Sequence, residues 1–143
     1  MIIGIIGIVI AISGFAILLE TPKKHLIAAT IVGIANGTVY LISMKCNAGT
    51  VFASFLAALT AAFLSHIFAR HLKAPVTIFL VTGILPTVPG GGMYRIVANI
   101  IDDSPELMNT FIETLEIAGA IALAIFIVDM VFRVKRVHKK QTI

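Results

Sequence analysis

The sequence predicts an all-α integral membrane protein of about five transmembrane helices, the fourth of them broken at a proline–glycine motif. Three observations predict it. Of the 143 residues, 59% are hydrophobic and 13% charged, with a mean hydropathy of +1.05, more apolar side chain than one soluble core can bury. The apolar residues fall in runs of about 20, the length that crosses a bilayer. One of those runs is interrupted by "GILPTVPGGGMYR", residues 83–95, with two prolines and three consecutive glycines.

The first run, residues 2–19, carries no charge and closes at "ETPKKH". A signal peptide has a basic region ahead of its apolar stretch, whereas Lys23 and Lys24 follow this one, so it reads as a mature helix. The second run, residues 26–44, follows Thr21 and Pro22 as N-cap and first helical residue and ends at Lys45. The third, residues 51–69, contains His66 and stops at "RHLK". The fourth, residues 75–101, holds the break. After the acidic connector "DDSPELMN", where Ser104 and Pro105 mark a helix start, the fifth covers residues 111–132. The whole of 1–143 reads as one transmembrane domain ending in a basic tail, 133–143, with no soluble domain.

Charge placement sets the orientation. With the N-terminus outside, nine of the eleven Lys and Arg (Lys23, Lys24, Arg70, Lys73 and the five of the tail) lie on the inner side, and Lys45 lies outside. A fourth segment that dipped in and returned would send the tail outward, so the charges favour a crossing. The net charge of +4 comes largely from that tail, which suits anionic lipid and not nucleic acid. A single cysteine, Cys46, forms no internal disulfide. His66 and His71 stand about 140° apart around a helix and share no ligand. No metal or cofactor is expected.

The break carries the chemistry. Pro86 and Pro89 lack N–H groups and clash with the preceding turn, and Gly90, Gly91 and Gly92 have access to positive φ, so the helix is expected to break here. The expected halves are residues 75–85 and 93–101, about 15 Å each. Irregular backbone at membrane depth survives only where protein or a polar cavity surrounds it, and such discontinuous helices point to transporter binding sites. The N–H groups of Gly91, Gly92, Met93 and Tyr94 open the second half-helix, and with Arg95 they favour an anionic group such as a carboxylate. A blander reading has Arg95 snorkelling to the interface or pairing with Glu113 or Glu116, with the glycines serving only helix packing. Glu113 and Glu116 share a face, to pair Arg95 or carry a proton. Asp129 is expected to pair with Arg133 four residues on, and His66 to be a packed or proton-carrying histidine. Gly33 and Gly37 in "GIANG", with the stripes Ala53, Ala57, Ala61 and Ser54, Ala58, Ala62, are contact surfaces for the bundle or for a partner.

"RHLKAPVTIFLVTGILPTVPGGGMYR", the acidic loop and "ETLEIAGAIALAIFIVDMVFR" together resemble the threonine/serine exporter family, in particular its short, separately encoded subunit, over nearly the whole chain. The resemblance implies a subunit of a secondary exporter in the bacterial inner membrane. It would work with a longer partner or as a homo-oligomer, driven by an ion gradient, on small anionic or zwitterionic solutes such as threonine and serine, or on small carboxylates such as dicarboxylic acids. It carries over Pro86, Pro89, Gly90, Gly91, Gly92, Tyr94 and Arg95 as site residues, with Glu113 and Glu116 for ion coupling. A non-transporting scaffold subunit is the other class kept open, since no second half-break accompanies the first. An intramembrane enzyme is not expected: Ser65 and His66 point about 100° apart and no G-x-S-x-G elbow occurs.

The charge asymmetry makes a prediction. Topology reporters fused at Ile143 and Asn109 should read cytoplasmic and external respectively, and the opposite pair of readings would end the five-span arrangement.

Overall fold

The computed structural model describes residues 2–19 and 21–140, with side chains from residue 6 to residue 134, residue 20 apart. The basic residues of the tail beyond Val134 lie outside the described side chains. All regular elements are helical: α1 (Ile2–Leu18), α2 (Lys23–Lys45), α3 (Thr50–Leu72), α4 (Val76–Ile84), a 3-10 turn (Leu85–Thr87), α5 (Gly90–Ile101) and α6 (Leu107–Lys140). Three single helices, α2, α3 and α6, are long and apolar enough to cross a membrane, and α4 with α5 forms a fourth such unit bent by 52°. At 17 residues, α1 sits at the lower limit for a span.

Local chemistry explains the boundaries. Pro22 is itself the N-cap of α2, so the helix begins at Lys23, one position later than a Thr21 cap implies. The turn into α3 passes through Asn47 and Gly49, both at positive φ, and Gly49 caps α3. At the far end Lys73 adopts the left-handed conformation and the Ala74 N–H reaches back to the Ala69 carbonyl at 3.1 Å, closing the helix before Pro75. Asp103, also left-handed, turns the chain from α5 into α6.

The packing is inverted relative to a soluble protein. The fully buried side chains are mostly small or polar, with Ala53, Ala57, Ala58, Ala61, Ser54, Ser65 and Asn36 all at 1% exposure or less, whereas Leu18, Ile27 and Ile101 are 77%, 75% and 77% exposed. An apolar outside around a small-residue inside is the arrangement a bilayer stabilises, because lipid gives large side chains no reason to hide and close backbone approach holds the helices together. α3 lies at the centre, against α2, α4 and α6. Its two stripes divide between neighbours: Ala61 packs with Ala29, Val32 and Phe79, while Ala58 packs with Ile117, Ile121 and Ala124.

Gly33 and Gly37, read above as a surface for the bundle or a partner, are used inside the chain. A Cβ at Gly33 would meet Ile12, and one at Gly37 would meet Ile8, so both glycines seat α1 on α2. Gly83 does the same for α4, whose backbone lies against Val32. α5 is different: among the described elements it packs against α6 alone. These contacts predict that Gly83→Ala, which places a methyl on the buried Val32 side chain, lowers thermal stability in detergent by about 1–3 kcal/mol. Gly14→Ala, with nothing within 4 Å, should leave the unfolding midpoint unchanged or raise it, because alanine suits a helix interior better than glycine. Equal midpoints for the two variants would refute the close α2–α4 contact.

Candidate functional site

The glycines of the break do not form the loop expected of them. None of Gly90, Gly91 and Gly92 has positive φ; they are the first turn of α5, which therefore starts three residues earlier than Met93. Pro89 occupies the N-cap position, and the irregular backbone is confined to residues 85–89. The reason for glycine is close approach. A Cβ at Gly92 would fall on Thr114 Oγ1 of α6, and about two turns further on Asn99 Nδ2 donates to Thr110 Oγ1 at 3.1 Å. Gly92 and Asn99 thus seat α5 on α6. Gly90 and Gly91 face open space, where an added Cβ would meet nothing within 4 Å.

The break frees backbone carbonyls, since Pro86 and Pro89 provide no N–H to the preceding turn. The chain satisfies them from within. Asn36 of α2, fully buried, donates through Nδ2 to the Gly83 carbonyl at 2.6 Å and to Thr87 Oγ1 at 3.2 Å. Thr87 Oγ1 in turn donates to the Ile84 carbonyl at 2.9 Å, and the Val88 N–H reaches the Leu85 carbonyl at 3.3 Å. Among the described residues Asn36 Oδ1 is buried with no hydrogen-bond partner.

Beside this network lies a recess of about 160 Å³ lined by Tyr40, Thr50, Ser54, Pro86, Thr87, Val88, Pro89, Gly92, Arg95 and Ile117. It is below the roughly 300 Å³ at which drug-sized pockets begin. It suits a small solute. Arg95 is its one charged lining residue, placed beside the uncapped N-terminus of α5, where no side chain takes up the helix donors. A larger recess of about 360 Å³, lined by Gly7, Ile8, Ala11, Ile12, Phe15, Leu85 and Pro86, is apolar and lies on the α1 side of the break.

Of the residues expected from sequence, Pro86, Pro89, Gly92 and Arg95 line the recess, Arg95 from its exposed edge; Gly90, Gly91 and Tyr94 are exposed and are not among its walls. Glu113 is half-buried and Glu116 exposed, and among the described residues neither pairs with Arg95. Tyr40, Thr50, Ser54, Thr87 and Asn36 join the site from the structure alone. One signal for Asn36 is present in the sequence, an amide in the middle of an apolar helix, where polar groups are costly and usually functional; in "GIANG" the flanking glycines are the more conspicuous feature.

A second polar cluster joins α3 to α6 at the opposite end. Asp129 pairs with Arg133 at 3.8 Å, as the spacing predicts, and also with His66 Nε2 of α3 at 3.6 Å. The His66 ring stacks on Phe132 with centroids 4.6 Å apart, and Arg70 lies 4.6 Å over the same ring while donating to the Phe132 carbonyl at 3.3 Å. Some three turns of α3 separate His66 from Ser54, about 18 Å of helix, so this clamp is remote from the recess.

Comparison with known proteins agrees with the membrane architecture. Residues 4–131 match the family described as Threonine/Serine exporter, ThrE. An uncharacterized protein of Haemophilus influenzae is 27% identical over 129 residues, an alignment covering 83% of this chain and 43% of that protein. The chain thus spans less than half the length of the curated relative it matches. No solved structure matches.

Proposed function

The chain belongs to the threonine/serine exporter family, and from that premise we propose that it is the short membrane subunit of a secondary exporter whose solute site is the recess at the broken helix. The observation that carries the reading is the convergence of Arg95, the uncapped start of α5 and the hydroxyl-bearing residues Tyr40, Thr50, Ser54 and Thr87 on one small recess. Arg95 and the α5 dipole attract the solute carboxylate. The hydroxyls hydrogen-bond the remainder of a small amino acid such as threonine or serine. A dicarboxylate would bring a second negative charge to walls that hold one cation, which favours the amino-acid reading.

A partner completes the unit. Among the described elements α5 rests on α6 alone, leaving Gly90, Gly91 and Tyr94 uncovered beside the site, and a homologous longer subunit or a second copy of this chain would close that side. The predominance of Lys and Arg at one end supports a cytoplasmic C-terminus in a bacterial inner membrane, with the tail on anionic lipid. Glu113 and Glu116, on the same α5–α6 hairpin as Arg95, are the groups placed to exchange a coupling proton as that hairpin moves.

Efflux from membrane vesicles containing this chain alone, its partner alone or both tests the reading. Arg95→Ala should weaken apparent affinity for threonine by about one to two decades, the loss of a charged hydrogen bond of about 1.5–3 kcal/mol. Arg95→Lys should recover only part of it, because an ammonium lacks the planar fork. Gly92→Ala should also impair efflux by lifting α5 off Thr114, with insertion unchanged. Undiminished efflux from Arg95→Ala at matched protein level would remove the arginine from the site, and no efflux from any combination would leave a scaffold subunit.

A further inference from the structure

We propose that His66 and Asp129 form a proton-binding site between α3 and α6, and that its occupation ties the two helices together at the end of the bundle remote from the recess. Both residues lie on membrane-spanning helices, yet water reaches the pair from one side: the His66 side chain is 11% exposed and that of Asp129 51%. His66 Nε2 stands 3.6 Å from Asp129 Oδ1, and Arg133 reaches Oδ2 at 3.8 Å. One carboxylate thus serves two helices, its own through Arg133 and α3 through His66.

The strength of the interhelical contact depends on the imidazole's charge. At 3.6 Å a neutral ring gives the carboxylate little, whereas an imidazolium gives it a full charge where screening is weaker than in bulk water. Histidine makes that change between pH 5 and 8. The ring's second contact has the same preference. It stacks on Phe132, with centroids 4.6 Å apart and planes at 13°, and an aromatic face attracts a cation. Burial opposes charging, as do two like charges: Arg133, and Arg70, one turn along α3 and 4.6 Å over the same Phe132 ring. Each arginine has its own acceptor, Arg70 the Phe132 carbonyl at 3.3 Å and Arg133 the far oxygen of Asp129. The other elements packed on α3 bring no anion among the described side chains. α4 and the 3-10 turn hold no titratable residue; α2 brings His25, buried against Phe79, while Lys23 and Lys24 are exposed.

Adhesion alone would not require a titrating residue here. Arg133 already meets the charge of Asp129 on its own helix, and Ala58 with Ile117, Ile121 and Ala124 already joins α3 to α6. His66 adds a tie that follows the proton. The same two helices also line the recess, through Thr50 and Ser54 of α3 and Ile117 of α6, about 18 Å away along α3. A bound proton holds their remote ends together, and its release lets those ends part.

The test measures the distance between α3 and α6 in the full chain, held in lipid nanodiscs, as a function of pH. Nitroxide labels are placed at Leu72 and Val134, both exposed, in a Cys46→Ser background. The label-to-label distance should be short and narrowly distributed at pH 5.5, and longer and broader at pH 8.5. His66→Gln and Asp129→Asn should each give the longer distribution at both pH values. Without labels, the thermal midpoint of the wild-type chain should exceed that of His66→Gln by about 3–6 °C at pH 5.5. The gap should close by pH 8.5, because the stabilisation exists while the proton is bound and is lost as it leaves. A wild-type distance indifferent to pH overturns the proposal, as does a pH response that persists in His66→Gln. Should His66→Gln fail to fold, Asp129→Asn, which keeps the ring stacked on Phe132, decides by the same distances, and a persisting response there overturns the proposal. No solute enters these measurements, so their failure leaves the exporter reading standing, and failure of the efflux assays leaves the proton site standing.

Discussion

Backbone that leaves the helical pattern inside a membrane has no water to turn to, and every carbonyl it frees must find a donor on the protein. Pro86 and Pro89 create that demand at one point of this chain. The answer comes from Asn36, whose amide reaches the Gly83 carbonyl and Thr87, and from Thr87 itself, which caps the Ile84 carbonyl. For an amide on α2 to do this, α2 must lie close to α4. Gly83 against Val32 provides the approach on one face of α2, and Gly33 and Gly37 seat α1 on the adjacent face.

The same economy of size runs through the bundle. Helices in lipid gain little from burying large apolar groups against one another, so contact is made largely by alanine, glycine, serine and threonine, while many of the isoleucine, leucine and phenylalanine side chains face outward. Small hydroxyl residues serve twice in such an interior. Ser54, Thr82, Thr87 and Thr114 each return their proton to a carbonyl of the same element or the helix just before it, which satisfies them in the dry interior and leaves acceptor lone pairs exposed to whatever neighbours they have. Where those neighbours are other helices the lone pairs are incidental. Around the recess they become its chemistry.

α3 joins two polar regions of different character. At one end Thr50 and Ser54 contribute to the recess; at the other His66 and Arg70 grip Phe132 and Asp129 of α6. Between them Ala58 packs directly on Ile117, Ile121 and Ala124, an apolar seam between α3 and α6. Among the described elements α5 is held against α6 alone, at Gly92 and Asn99. In the proposed exporter the helix that carries Arg95 is therefore the element with the fewest neighbours, and a partner subunit contacting it would act directly on the solute site.

Much of this protein was determined by local sequence. Composition and the length of the apolar runs established an all-α membrane architecture, and two prolines were enough to break the fourth unit, because ring geometry acts within a single turn whatever surrounds it. The Asp129–Arg133 pair followed from helical spacing alone. Tertiary structure decided the rest. Glycine has no fixed meaning in sequence: Gly90, Gly91 and Gly92 permit a loop or a close helix contact, and Thr114, 22 positions from Gly92, selects the contact. Likewise nothing local tells Asn36 that its partners lie 47 and 51 residues away, or His66 that Asp129 stands opposite. A carbonyl freed by proline specifies that a donor is needed, not which helix brings it; that choice belongs to the packing of small residues that sets one helix against another.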